Sequence, residues 1–99
     1  MSEKIIYKED TIIEFKKPKM YKVILLNDDY TTMDFVVEVL VAVFRKNPTE
    51  ATQIMLDVHQ KGKGIVGAYT YDIACTKIAQ VEEMSAKRDF PLVAVIEPE

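Results

Sequence analysis

The chain has 99 residues, 48% of them apolar, with five tyrosines, four phenylalanines and a formal net charge of −3. That length holds one hydrophobic core, since two would each bury too little surface to stand alone, and the composition lies far from the high-charge, low-hydropathy signature of disorder. The acidic balance, with no basic cluster beyond Lys16, Lys17 and Lys19 around Pro18, offers no footprint for a phosphate backbone, and the single cysteine, Cys75, excludes an internal disulfide and a paired-cysteine metal or redox site.

Residues 1–18 mix charges at Glu3, Lys4, Lys8, Glu9, Asp10, Glu14, Lys16 and Lys17 with short apolar pairs, a pattern that supports no amphipathic helix. They are expected to form a flexible tail, with Thr11 to Phe15 able to add a short strand, and residues 19–99 the single core domain. The first residues lack the apolar stretch of a signal peptide and no later window approaches a membrane span, so a cytoplasmic protein is expected.

Tyr21 to Leu26 is short, aliphatic and β-branched, and predicts a strand that runs into the turn cluster Asn27-Asp28-Asp29-Tyr30-Thr31. A helix follows, with Thr31 expected as its N-cap and Asp34 completing a capping box. Met33, Val36, Val37, Leu40 and Phe44 recur at helical spacing as its apolar stripe. Asn47, Pro48 and Glu50 predict a second helix start, and Gly62 and Gly64 end that helix near Lys61. Its buried face is expected at Ala51, Ile54, Met55 and Val58. Ile65 to Tyr69 reads as a strand in which Gly67 marks a bulge or a close approach. Thr70 is expected to cap a third helix reaching Lys87, with Ala74, Ile78 and Val81 inward, and Leu92 to Ile96 closes the chain as a buried strand. The order β-α-α-β-α-β predicts an α+β fold: a two-layer domain with a three-stranded, largely antiparallel sheet and three helices on one face.

No phosphate-cradling loop, nucleophile elbow or metal-ligand cluster is present, and GKG at 62–64 lacks the spacing of a P-loop. What remains is the Asn27-Asp28-Asp29 corner at a strand end and the only histidine, His59, on a helix that turns Met55, Val58 and His59 the same way. Taken singly, each has an ordinary structural reading: a polar turn, a helical histidine, methionines filling gaps in a core. Together, carboxylate and amide oxygens with an imidazole nitrogen make a site of hydrogen-bond acceptors, and a primary ammonium offers three donors and no acceptor. Flexible methionines and valines beside them suit a ligand carrying a charged amine next to an apolar side chain. The N-terminal residue of a protein is such a ligand.

The stretch Met20-Tyr21-Lys22-Val23-Ile24-Leu25-Leu26-Asn27-Asp28-Asp29-Tyr30-Thr31, with Met33, Phe35-Val36-Val37, Ala51-Thr52, Ile54-Met55-Leu56, Val58-His59, Gly62-Lys63-Gly64, Thr76-Lys77 and Pro91-Leu92, closely resembles the ClpS adaptor family over residues 18–99. The resemblance implies a protein that is no enzyme and needs no cofactor: it recognises exposed N-terminal Leu, Phe, Tyr or Trp and hands the bearer to the N-terminal domain of a ClpA-type AAA+ unfoldase. It implies that Asn27, Asp28 and His59 bind the α-amino group and first peptide unit, with Asp29 supporting the loop. It further implies that Leu25, Thr31, Met33, Val36, Met55, Val58 and Leu92 line a side-chain pocket, Met33 being the gate against β-branched residues. Asp72, Thr76 and Lys77 fall at the unfoldase-facing positions, and the N-terminal tail serves handover. The implied protein acts as a monomer without nucleic-acid or membrane partners. Thr32 stands where many members carry Pro, Cys75 where an acidic residue is usual, and Asp72 where Glu is frequent.

Two other readings follow from the residues. A hydrolase would use Asp28 or Asp29 with His59, although no Ser or Cys nucleophile sits in the matching stretch. A general protein-interaction domain would use the Asn-Asp-Asp turn only as structure.

Overall fold

The computed structural model describes the backbone of residues 3–8 and 11–99 and the side chains of residues 17–99. Within the expected tail, β1 (Glu3–Lys8) and β2 (Thr11–Lys16) pair antiparallel, from Glu3 opposite Lys16 to Lys8 opposite Thr11. They form a two-stranded sheet separate from the central one. The Thr11 to Phe15 strand is present as β2, whereas β1 has no counterpart in the sequence reading.

The aliphatic run of β3 (Tyr21–Leu26) becomes the middle strand of the central sheet because both its edges are paired. It lies antiparallel to β4 (Lys63–Tyr69) and to β5 (Val93–Pro98). Val23 and Leu25 alternate onto the helix-covered face and are fully buried. Gly67 sits opposite Val23 and Ile65 opposite Ile24, so Val66 is the extra residue of a bulge beside the predicted glycine. β5 starts one residue later than predicted and runs on to Pro98. Leu92, expected within it, precedes the strand and is buried in the core.

Three helices pack onto the sheet: α1 (Met33–Ala42), α2 (Pro48–Lys61) and α3 (Tyr71–Lys87). α2 is bounded as its residues dictate. The Asn47 side-chain oxygen accepts the Glu50 N–H at 2.8 Å, Pro48 takes the first turn, and Gly62 closes the helix at φ 89°. α1 departs from expectation at both ends. Its cap is Thr32, whose hydroxyl accepts the Phe35 N–H at 3.1 Å, while the Thr31 side chain is turned to the Asp28 carboxylate. The buried face is Phe35, Val36, Val39 and Leu40; Phe44 is buried but lies past the helix end, and Met33 in the first turn is 46% exposed. Thr70 has the backbone geometry of an α3 cap but makes no side-chain capping bond, while Ala74 and Val81 are fully buried as expected, with Ile78 against them. No helix among the described residues is long and apolar enough to cross a membrane.

At Gly64, β4 approaches α2 closely. A methyl group there would stand 2.8 Å from Val58 Cγ2 and 3.0 Å from the Ile54 carbonyl oxygen. The carbonyl belongs to a helix and cannot give way cheaply. Gly64→Ala is therefore expected to cost about 1–3 kcal/mol through overpacking, read as a melting midpoint lower by at least about 4 °C; an unchanged midpoint would show that the two elements do not need this approach.

Candidate functional site

The site forms where β3 ends and the ends of two helices meet it. The Asn27 N–H donates to the Gly62 carbonyl at 2.9 Å, which ties the end of β3 to the C-terminus of α2. The Gly62 N–H in turn donates to the Val58 carbonyl at 3.1 Å. With the close approach at Gly64, these contacts fix Met55, Val58 and His59 beside the Asn27-Asp28-Asp29 corner.

Asp28 builds the corner itself. Its Oδ1 accepts the N–H groups of Tyr30 at 2.8 Å and Thr31 at 2.6 Å, and its Oδ2 accepts the Thr31 hydroxyl at 2.7 Å. An Asp side chain folding back on the next two or three residues is the usual way such turns are held. Burial pushes the Asp28 carboxyl upward, but the hydrogen bonds from Thr31 and Tyr30 outweigh it and hold the group below the ordinary carboxylate range. Three of the roughly four lone-pair positions of this carboxylate are thus taken within the loop. The side chains of Asn27, Asp29 and His59 make no hydrogen bond within the protein among the described residues. Their acceptors remain available to a ligand.

Between these groups lies a cavity of about 490 Å³, lined by Asn27, Asp28, Asp29, Thr31, Thr32, Met33, Val36, Met55, Val58 and His59. Its volume is that of a small-ligand site. The lining combines two carboxylates, an amide and an imidazole with the apolar Met33, Val36, Met55 and Val58, and among the described residues no Lys or Arg lines it. Such a lining suits a ligand that carries both a cation and a hydrocarbon group.

Nine of the residues singled out from sequence come together here: Asn27, Asp28, Asp29, Thr31, Met33, Val36, Met55, Val58 and His59. Leu25 and Leu92 do not line the cavity. Leu25 is fully buried and Leu92 is 4% exposed, both within the main core cluster. Thr32 lines the cavity without having been singled out for it, and its signal was hidden when the capping pattern was read one residue early. Asp72, Thr76 and Lys77 lie apart on α3. Asp72 and Thr76 are exposed, with the Thr76 hydroxyl donating to the Asp72 carbonyl at 3.0 Å. Lys77 is half-buried, and its ammonium donates to the Val43 carbonyl at 2.8 Å.

The arrangement gives little to the hydrolase reading. His59 makes no hydrogen bond to Asp28 or Asp29, and among the described residues no serine or cysteine lines the cavity, Cys75 being on α3. Among the described residues no group of three His, Cys, Asp or Glu side chains could hold a metal ion.

Fold and cavity together define a small two-layer α+β binding domain, with acceptors set over an apolar recess. Residues 16–95 match the family described as "ATP-dependent Clp protease adaptor protein ClpS". The chain belongs to this ClpS family of protease adaptors. It is 72% identical over 99 residues to the ATP-dependent Clp protease adapter protein ClpS of Acetivibrio thermocellus, covering 100% of both chains. It is 58% identical over 84 residues to that of Syntrophus aciditrophicus, covering 85% of this chain and 76% of the relative. The structure of Agrobacterium tumefaciens ClpS2 bound to L-phenylalaninamide superimposes with a TM-score of 0.80 at 42% identity, over 84% of this chain and 100% of that one.

Proposed function

We propose that the protein binds the free N-terminus of proteins that begin with Leu, Phe, Tyr or Trp and delivers them to the N-terminal domain of a ClpA-type AAA+ unfoldase, for degradation by the Clp protease in the cytoplasm. The observation that carries this reading is the cavity of about 490 Å³, in which unengaged acceptors on Asn27, Asp29 and His59 stand beside an apolar wall. L-phenylalaninamide, the ligand of the Agrobacterium relative, supports it. That molecule carries a free amine, a benzyl group and an amide, which are the parts of an N-terminal phenylalanine.

In this reading Asn27 and His59 accept hydrogen bonds from the ammonium, and Asp28 contributes its charge and its remaining lone pair while holding the loop in shape. Asp29 faces the incoming peptide. Met33, Val36, Met55 and Val58 enclose the first side chain, with Thr31 and Thr32 at the margin and Met33 the movable part of the wall. The protein works as a monomer, without cofactor or catalytic residue. Residues 19–99 carry recognition, the segment before them serves handover, and Asp72, Thr76 and Lys77 on α3 belong to the surface that meets the unfoldase.

The magnitudes require a ligand with both features. Burying one Leu or Phe side chain contributes roughly 1.5–3 kcal/mol, each hydrogen bond to a charged group about 1.5–3 kcal/mol, and association costs at least about 4 kcal/mol. Neither half binds alone. A panel of peptides identical except for the first residue tests the specificity. Leu, Phe, Tyr and Trp are expected to bind, with Ile, Val, Ala and Ser at least about tenfold weaker, a difference of about 1.4 kcal/mol. Uniform affinity across the panel would defeat the pocket assignment.

A further inference from the structure

α1 supplies one wall of the cavity with its first turns, through Met33 and Val36, and ends at Ala42. Ten helical residues span about 15 Å, so α1 connects the cavity wall at its start to the Val43 cap at its far end. That far end needs a partner. The last carbonyls of a helix carry the negative end of its dipole, yet the last turn of α1 contains no basic residue.

Two of the carbonyls there are satisfied locally: the Val43 N–H donates to the Val39 oxygen at 2.8 Å, and the Lys46 N–H to the Leu40 oxygen at 3.1 Å. The carbonyl of Val43 itself is satisfied from 34 residues away, by the Lys77 ammonium of α3 at 2.8 Å. The same ammonium lies 6.0 Å from the centre of the Tyr69 ring. Tyr69 in turn packs at 6.2 Å against Phe44, the residue that follows Val43. Lys77 is thus held between the end of α1 and an aromatic ring, in a half-buried place where its charge is incompletely screened. Nearer its start, α1 is also touched by Arg88, whose guanidinium lies 5.1 Å from the Phe35 ring centre and pairs with Glu38 at 3.1 Å. That ion pair is exposed and correspondingly weak.

We infer that Lys77 is a positioning residue for the peptide pocket: by capping α1 from α3 it sets where Met33 and Val36 stand against Met55 and Val58. It touches no part of the cavity. This inference rests on the peptide-binding reading above, and its regulatory meaning is that anything drawing Lys77 away from Val43 loosens one pocket wall.

The test compares the whole protein with Lys77→Met, which keeps the apolar stem but loses the charge, and Lys77→Arg, which keeps the cation. Each is titrated with a peptide bearing a free N-terminal Leu, well below its melting midpoint. Lys77→Met is expected to bind about threefold to tenfold more weakly, the range typical of remote coupling, and Lys77→Arg to recover most of the loss. The methyl NMR signal of Met33 is expected to shift in Lys77→Met and return in Lys77→Arg, while that of Met20 stays in place. A purely structural role would lower the melting midpoint without moving the Met33 signal or the affinity. A second measurement needs no variant: because coupling is reciprocal, peptide binding to the unaltered protein is expected to slow hydrogen exchange at the Val43 and Lys46 amides. Unaltered affinity in folded Lys77→Met, or unaltered exchange at both amides on peptide binding, overturns the inference alone. Failure of the unaltered protein to bind the peptide overturns the parent reading and this inference with it.

Discussion

Replacing Asp28 with alanine is expected to weaken a peptide with free N-terminal Leu or Phe by about 10- to 100-fold, while the melting midpoint changes little. The carboxylate holds the Tyr30 and Thr31 N–H groups and the Thr31 hydroxyl, so its removal frees the loop that carries Asn27 and Asp29. It also deletes one of two negative charges lining a cavity to which, among the described residues, no Lys or Arg contributes. A hydrogen bond involving a charged group contributes about 1.5–3 kcal/mol, and every 1.4 kcal/mol is about tenfold in affinity. The fold survives because the loop lies outside the core cluster built on Leu25, Phe35, Val39 and Leu40. Asp28→Asn separates the two contributions: it keeps an acceptor for the turn and removes the charge, and an intermediate loss is expected. Acid acts in the same direction as Asp28→Asn, removing the charge while leaving an acceptor oxygen. Because hydrogen bonding holds the folded carboxyl below its ordinary range, its contribution to the loop is present above the unfolded value and lost as pH falls through the folded one. A collapse of the melting midpoint in Asp28→Ala, with peptide affinity retained, would make the corner merely structural.

How far the fold could be read from sequence depended on how local its causes were. Asn47, Pro48, Glu50 and Gly62 bound α2 through contacts within three or four residues, and the helix runs as they dictate. The start of α1 offers two adjacent threonines, and only the Asp28 carboxylate, which takes up the Thr31 hydroxyl, makes Thr32 the cap. The same step hid Thr32 as a cavity residue.

Long-range causes were the least readable. Nothing in the spacing of residues indicated that Lys77 would satisfy Val43 across 34 positions, or that Leu25 and Leu92 would be wholly taken into the core. Leu25 lies in the middle strand and its side chain is fully buried in the core cluster with Phe35, Val36 and Val58. The polar corner and His59 were readable as residue types suited to an ammonium; their meeting depends on the Asn27–Gly62 bond and on the absence of a side chain at Gly64.

Acetylating the peptide terminus removes the ammonium and leaves the first side chain unchanged, so it isolates the interaction on which the rest depends. In the proposed reading the free amine offers three donors and a positive charge to the acceptors of Asn27, Asp28 and His59. The acetyl amide offers one donor, no charge and added bulk. Loss of even two charge-assisted contacts at about 1.5–3 kcal/mol each implies a drop of about hundredfold or more. The deciding measurement is the titration of two peptides that differ only in a free or an acetylated N-terminal Leu. Tight binding of the free form with at least about hundredfold weaker binding of the acetylated form is expected; equal affinity for the two would contradict recognition of a protein's N-terminus by this cavity.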